Sequence, residues 1–71
     1  MSKVYSRIES IAGNVITVKA DGIKYDDLAQ IDTSFGTSLA NVIKMDGDLV
    51  SLQVFAGGRG ISTGDEIRFL G

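Results

Sequence analysis

The chain has 71 residues, 44% of them hydrophobic and 23% charged, with no cysteine, no histidine and a formal net charge of −2. This excludes a disulfide scaffold and the imidazole and thiolate chemistry on which most metal sites and much general-base and nucleophilic catalysis depend. It also argues against a nucleic-acid binder, whose affinity comes largely from Lys and Arg neutralising phosphates, and no apolar run approaches the length of a membrane-spanning helix.

From the N-terminus, Met1-Ser2-Lys3 leads straight into patterned sequence, so no secretory leader is expected. Val4, Ile8, Ile11, Val15 and Val18 fall at helical spacing, but Gly13-Asn14 interrupts them and the later residues are β-branched. Residues 5–12 therefore read as a strand, and Ile8 and Ile11 reach one face of it only through a bulge. After the Gly13-Asn14 turn, residues 15–20 alternate with Ile16, Val18 and Ala20 inward. Asp21-Gly22 is a second turn signal, and residues 24–28 fit one helical turn or a bend. Residues 28–33 form a weaker strand with Ala29 and Ile31 inward, ended by the polar turn Thr33-Ser34-Phe35-Gly36-Thr37. Residues 38–45 are apolar but alternate poorly.

Asp46-Gly47 predicts a tight hairpin with both central residues at positive φ, a type I′ turn. Residues 49–55 then alternate with Val50, Leu52 and Val54 inward, and residues 66–70 with Ile67 and Phe69 inward. Between them lie Gly57-Gly58-Arg59-Gly60 and Thr63-Gly64. The expected fold is all-β, a small closed six-stranded β-barrel over residues 1–71, because an open sheet this small leaves two edges for other chains to pair with.

No pattern here supplies catalytic, cofactor or metal chemistry. Asp26-Asp27 and Asp65-Glu66 are adjacent carboxylates, which point to opposite faces of a strand and read as solvated turn charges. Asp46-Gly47-Asp48 lacks the later ligands of a calcium loop. The Gly57–Gly60 run lacks the Gly-Lys-Ser/Thr ending at a helix N-terminus that a phosphate-binding loop needs. Of Tyr5, Tyr25, Phe35, Phe55 and Phe69, only Phe35 lies in a polar turn; the others are expected in the core. An apolar ring on a turn reads as a contact residue or a local cap.

The run Leu52-Gln53-Val54-Phe55-Ala56-Gly57-Gly58-Arg59-Gly60-Ile61, with Gly64 and the closing Ile67-Arg68-Phe69-Leu70-Gly71, resembles the end of the N-terminal barrel in the B-type subunits of V-type and A-type ATPases. Tyr5 with Ile8, Gly13-Asn14-Val15-Ile16-Thr17-Val18, and Gly22-Ile23-Lys24-Tyr25 before Leu28 are similar to the front of that barrel. Ala56 and Gly57-Gly58-Arg59 depart from the family, which often carries an acidic or small residue after the Phe and Ser or Thr in the loop.

The resemblance implies a fragment of a longer, cytoplasmic, membrane-peripheral polypeptide. It implies a non-catalytic assembly module in the barrel crown of a hexameric head, in proton- or sodium-coupled ATP synthesis or hydrolysis. ATP and Mg are then expected only in a downstream nucleotide-binding domain, and the barrel itself holds no cofactor. Implied partners are the barrels of neighbouring catalytic A-type subunits and the peripheral-stalk subunits, with no nucleic acid and no membrane insertion; alone, the barrel is expected to be monomeric or weakly associating. Partner contact is expected at Phe35 and at Gly57, Gly58, Arg59 and Gly60, since arginine is enriched in interfaces. The rival readings are an OB-like oligonucleotide-binding barrel, which calls for a basic aromatic face, and a free-standing adaptor barrel.

Overall fold

The computed structural model describes residues 3–5, 7–57 and 59–70, with Lys3 and Val4 described in backbone only. Seven strands form one antiparallel sheet: β1 Lys3–Tyr5, β2 Ile8–Ala12, β3 Val15–Lys19, β4 Leu28–Thr33, β5 Gly36–Asp46, β6 Leu49–Val54 and β7 Glu66–Phe69. Their order across the sheet is β1-β7-β4-β5-β6-β3-β2.

The two edges of that order, β1 and β2, are consecutive in the chain, with only Ser6 and Arg7 between them. One N-terminal segment thus pairs with β7 through β1 and with β3 through β2, closing the sheet on itself. The Ile8 N–H donates to the Thr63 carbonyl at 3.1 Å, tying the seam just ahead of β7. Counted this way, β1 and β2 are the two halves of a first barrel strand, and the six expected strands are all present. The first begins at Lys3 instead of residue 5.

The inward set matches the alternation. Ile16, Val18, Ala29, Ile31, Val50, Leu52, Val54, Ile67 and Phe69 are all buried. A register shift between Ile8 and Ser10 supplies the expected bulge, with Ile8 in the core and Ile11 packed against it. The poor alternation of residues 38–45 has the same cause. β5 is regular through Ala40 and Val42, shifts register between Val42 and Lys44, and resumes with Met45 opposite Val50. The extra residue, Ile43, points outward, which turns Met45 back toward the core.

One expectation is decided between its two alternatives and one needs correction. Residues 24–28 take the bend and not the helical turn. Lys24 to Asp27 is a reverse turn in which the Asp27 N–H donates to the Lys24 carbonyl at 3.1 Å, with Asp26 at φ 66°. The Gly47 hairpin is not type I′. Asp46 pairs with Leu49, so the loop is Gly47-Asp48, and only Gly47 has positive φ, at 63°. Glycine at the first central position is the signature of type II′. The Gly13-Asn14 hairpin is built alike, with Gly13 at 62° between the paired Ala12 and Val15.

Candidate functional site

The buried core is entirely apolar, with no buried polar or charged residue among those described. A barrel filled by its own apolar side chains has no interior to offer a ligand, so any site must lie on its outside or its loops. Strand directions sort those loops onto two poles. The Gly13-Asn14 turn, the β4–β5 turn and the long loop from Phe55 to Asp65 share one pole. The β3–β4 loop and the Gly47-Asp48 turn lie at the other.

The first pole gathers most of the expected contact residues. The β4–β5 turn places Ser34 and Phe35 at its tip between the paired Thr33 and Gly36. The Thr33 hydroxyl donates to the Gly36 carbonyl at 2.7 Å and accepts the Phe35 N–H at 3.1 Å, so one side chain braces both arms. Neither Ser34 nor Phe35 takes positive φ, and the left-handed residue is displaced onto Gly36, at 126°.

The long loop begins with a turn in which the Gly57 N–H donates to the Val54 carbonyl at 3.1 Å, and the Val54 N–H donates to the Asn14 carbonyl at 2.8 Å. It then reaches Arg59 and Gly60 and drops Ile61 into the core. Gly60 has φ +85°, and a β-carbon built on it would lie 3.0 Å from Cδ2 of Phe35. The Phe35 ring therefore rests on the bare Gly60 backbone while remaining 87% exposed. Phe35, Arg59 and Gly60 line a shallow, mainly apolar recess of about 250 Å³. The structure thus brings together Phe35, Arg59 and Gly60, residues 24 and 25 positions apart in sequence. Gly57 lies on the same loop without lining the recess, and Gly58 lies outside the described residues.

The turn signalled by Thr63-Gly64 is present, but sequence reasoning missed what clasps it. Ser62 to Asp65 is closed by the Asp65 N–H donating to the Ser62 carbonyl at 3.0 Å. The Asp65 carboxylate accepts the Ser62 N–H at 2.8 Å and the Ser62 hydroxyl at 3.2 Å. Asp27 accepts the Lys24 N–H at 2.9 Å in the same manner ahead of β4. Asp27 and Asp65 are therefore turn clasps and not merely solvated charges. The signal was a carboxylate directly before a strand, three positions after the residue it holds. The aromatics also need correction: Phe69 is buried and Tyr5 packs edge-on to it at 5.6 Å, but Tyr25 and Phe55 are 58% and 61% exposed. The alternation that buries Val54 forces Phe55 outward, beside Leu39, whose carbonyl accepts the Phe55 N–H at 2.9 Å.

Among the described residues no group of three or more carboxylates is placed to hold a metal ion. The Gly57–Gly60 loop leads through a second turn into β7 and not into a helix N-terminus. No helix among them is long and apolar enough to cross a membrane.

Residues 8–71 match the sequence profile described as ATP synthase alpha/beta family, beta-barrel domain. The chain belongs to that family. As a member of the ATP synthase alpha/beta family it is 73% identical over 71 residues to the V-type ATP synthase beta chain of Treponema denticola. It is 68% identical to V-type ATP synthase beta chain 1 of Treponema pallidum, again over 71 residues. Identity to the V-type ATP synthase beta chain of Protochlamydia amoebophila is 48%, over 99% of the chain. In each case the match spans only 16% of the relative's length. The resemblance drawn from Leu52–Ile61 and the closing strand thus holds across the whole barrel, and the closed β-fold is the one the family profile describes.

Proposed function

We propose that this barrel is the assembly module of a non-catalytic B-type subunit in a rotary V-type ATP synthase. In this reading it forms part of the crown that holds the head together and gives the peripheral stalk a surface to dock on. The observation that carries the reading is the 73% identity to a V-type ATP synthase beta chain over all 71 residues. A core of apolar side chains, with no buried polar group among the described residues, supports it, because such a barrel can act only through its outer surface.

The barrel holds no nucleotide of its own; ATP and Mg belong to the remainder of the parent polypeptide, and catalysis to the complex. The parent sits at the cytoplasmic periphery of the membrane and contributes to proton- or sodium-coupled turnover. Contacts to the neighbouring A-type barrels and to the stalk run through the pole that carries Phe35, Gly57, Arg59 and Gly60, and Gly58, outside the described residues, is proposed as a contact on sequence grounds alone. There an exposed ring and a guanidinium flank one recess. These contacts are modest, because the larger domains of the subunits also hold the ring, and the barrel alone is monomeric or weakly associating.

The test assembles the full-length protein with its partner subunits, carrying Phe35→Ala or Arg59→Ala. Weakened ring formation or stalk docking is expected. Assembly and docking with unaltered affinity for both variants would remove this pole from the interface.

A further inference from the structure

The pole that carries Phe35 holds one charge that nothing in the barrel balances. Across the Gly13-Asn14 turn, residues 33–37 and residues 55–64, Arg59 is the only charged side chain. The carboxylates that flank these segments are engaged elsewhere. Asp32 accepts the side-chain amide of Gln30 at 3.1 Å, and Asp65 accepts the Ser62 N–H and hydroxyl. Arg7 and Glu9 are of opposite sign and line a separate cleft beside Thr63 and Gly64. Arg59 is exposed, and among the described residues it makes neither an ion pair nor a ring contact.

The recess beside this guanidinium is apolar and already shaped. At about 250 Å³ it lies below the range of about 300–1,000 Å³ typical of small-molecule pockets, and it suits one large side chain. Its wall is the Phe35 ring, seated on the bare Gly60 backbone, on a turn that the Thr33 hydroxyl braces on both arms. A wall held in this way loses little freedom when a partner docks. An exposed aromatic and an arginine beside an apolar recess are the residue types that concentrate binding energy in protein interfaces. The planar guanidinium fits a carboxylate through two parallel hydrogen bonds. A nucleic acid would need several cations to neutralise its phosphates, whereas this pole offers one, in a chain of net charge −2.

Resting on the assembly reading given under Proposed function, we propose that this recess receives an acidic segment of a partner subunit. One large apolar side chain of that segment enters the recess against Phe35, and a carboxylate next to it bonds the Arg59 guanidinium. The two halves of the site do different work. The ring and the recess supply most of the affinity, because apolar area leaves water there. The charge pair adds little energy at an exposed rim, but it fixes the register of the segment and rejects a basic one.

The experiment titrates the full-length protein with the A-type subunit and, separately, with the peripheral-stalk subunits, and reads affinity at low and at high salt. The protein is compared with its Arg59→Lys, Arg59→Gln, Arg59→Glu and Phe35→Ala variants. With one of these partners, Arg59→Gln should weaken binding by about threefold to fivefold at low salt and flatten its salt dependence. Arg59→Lys should keep the salt dependence. Arg59→Glu should bind more weakly than Arg59→Gln and recover as salt screens the repulsion. Phe35→Ala should weaken binding by about tenfold or more at either salt concentration. Melting temperatures of the Arg59 variants should match that of the unmodified protein, since Arg59 bonds to nothing in the barrel. Arg59→Glu binding as well as Arg59→Lys at low salt, or better, overturns the proposal. So does an equal loss in all three Arg59 variants at both salt concentrations. If those results come with a loss in Phe35→Ala, the pole remains the interface and only its acidic partner is wrong. If Phe35→Ala also binds unchanged, the interface reading falls too.

Discussion

Gly60 carries two constraints that one substitution can separate. Its φ of +85° lies in the left-handed region, and its missing β-carbon makes room for Cδ2 of Phe35 at 3.0 Å. Gly60→Ala should therefore destabilise the domain by about 1 kcal/mol or more from the backbone alone. It should also lift the Phe35 ring off the loop. In a Phe35→Ala background the steric part disappears and only the backbone part persists, so a double-mutant cycle by thermal melting should give a non-zero coupling. Strict additivity would mean that the ring does not rest on Gly60 in solution. Asp65 is the second residue whose role is local. Its carboxylate accepts two hydrogen bonds from Ser62. Asp65→Ala should cost about 1–2 kcal/mol, at the lower end for a charged acceptor because the turn is solvated. A melting temperature unchanged by this variant would show that the backbone bond alone holds the turn.

The hairpins set the register of β2 against β3 and of β5 against β6. Gly47 lies at φ 63° in the first central position of its turn, with open space around its α-carbon. Gly47→Val should therefore destabilise by about 1 kcal/mol or more through backbone strain and not through any clash. Asp48, which does not take positive φ, should accept Ala or Ser with little change. Equal costs at positions 47 and 48, measured by denaturant unfolding, would point to a type I′ turn and overturn the type II′ reading. The β5 bulge is the other element-scale device. Without the bulge, with Ile43 taking a regular place in the ladder, strict alternation beyond Val42 would carry Lys44 inward and Met45 outward; with it, Lys44 pairs with the half-buried Ser51 and Met45 with the buried Val50.

For the molecule as a whole, stability rests on one core. There is no disulfide, and a domain of this size has a narrow margin, with a single core rarely supplying more than about 3–5 kcal/mol. Leu52 and Ile31 are both at 0% exposure in the barrel centre. Leu52→Ala or Ile31→Ala should cost about 2–5 kcal/mol, enough to consume most of that margin. The variants should lose a cooperative melting transition at room temperature when the barrel is studied by itself. A melting point lowered by only a few degrees would mean that the core can collapse around the missing atoms.

Alternation and glycine spacing were enough to write down an all-β chain, its inward residues and its turns. A period-two pattern states directly which side chains leave water, and a glycine between two such runs marks where the chain reverses. Even the bulge at Ile8 and Ser10 could be anticipated, because Ile8 and Ile11 had no other way to share a face. Residue identity alone could not separate type I′ from type II′, since Gly-Asp fits both and the choice lies in the φ of Asp48. Nor could it tell that Asp27 and Asp65 clasp their turns, because a carboxylate in a loop has the same composition whether it is solvated or bonded. The meeting of Phe35 with Gly60 was beyond any local pattern. It arises because β4 and β5 turn at the same pole over which the β6–β7 loop must cross to reach its place beside β4. That crossing is a property of strand order, and strand order is set by which edges close the barrel and not by any one segment.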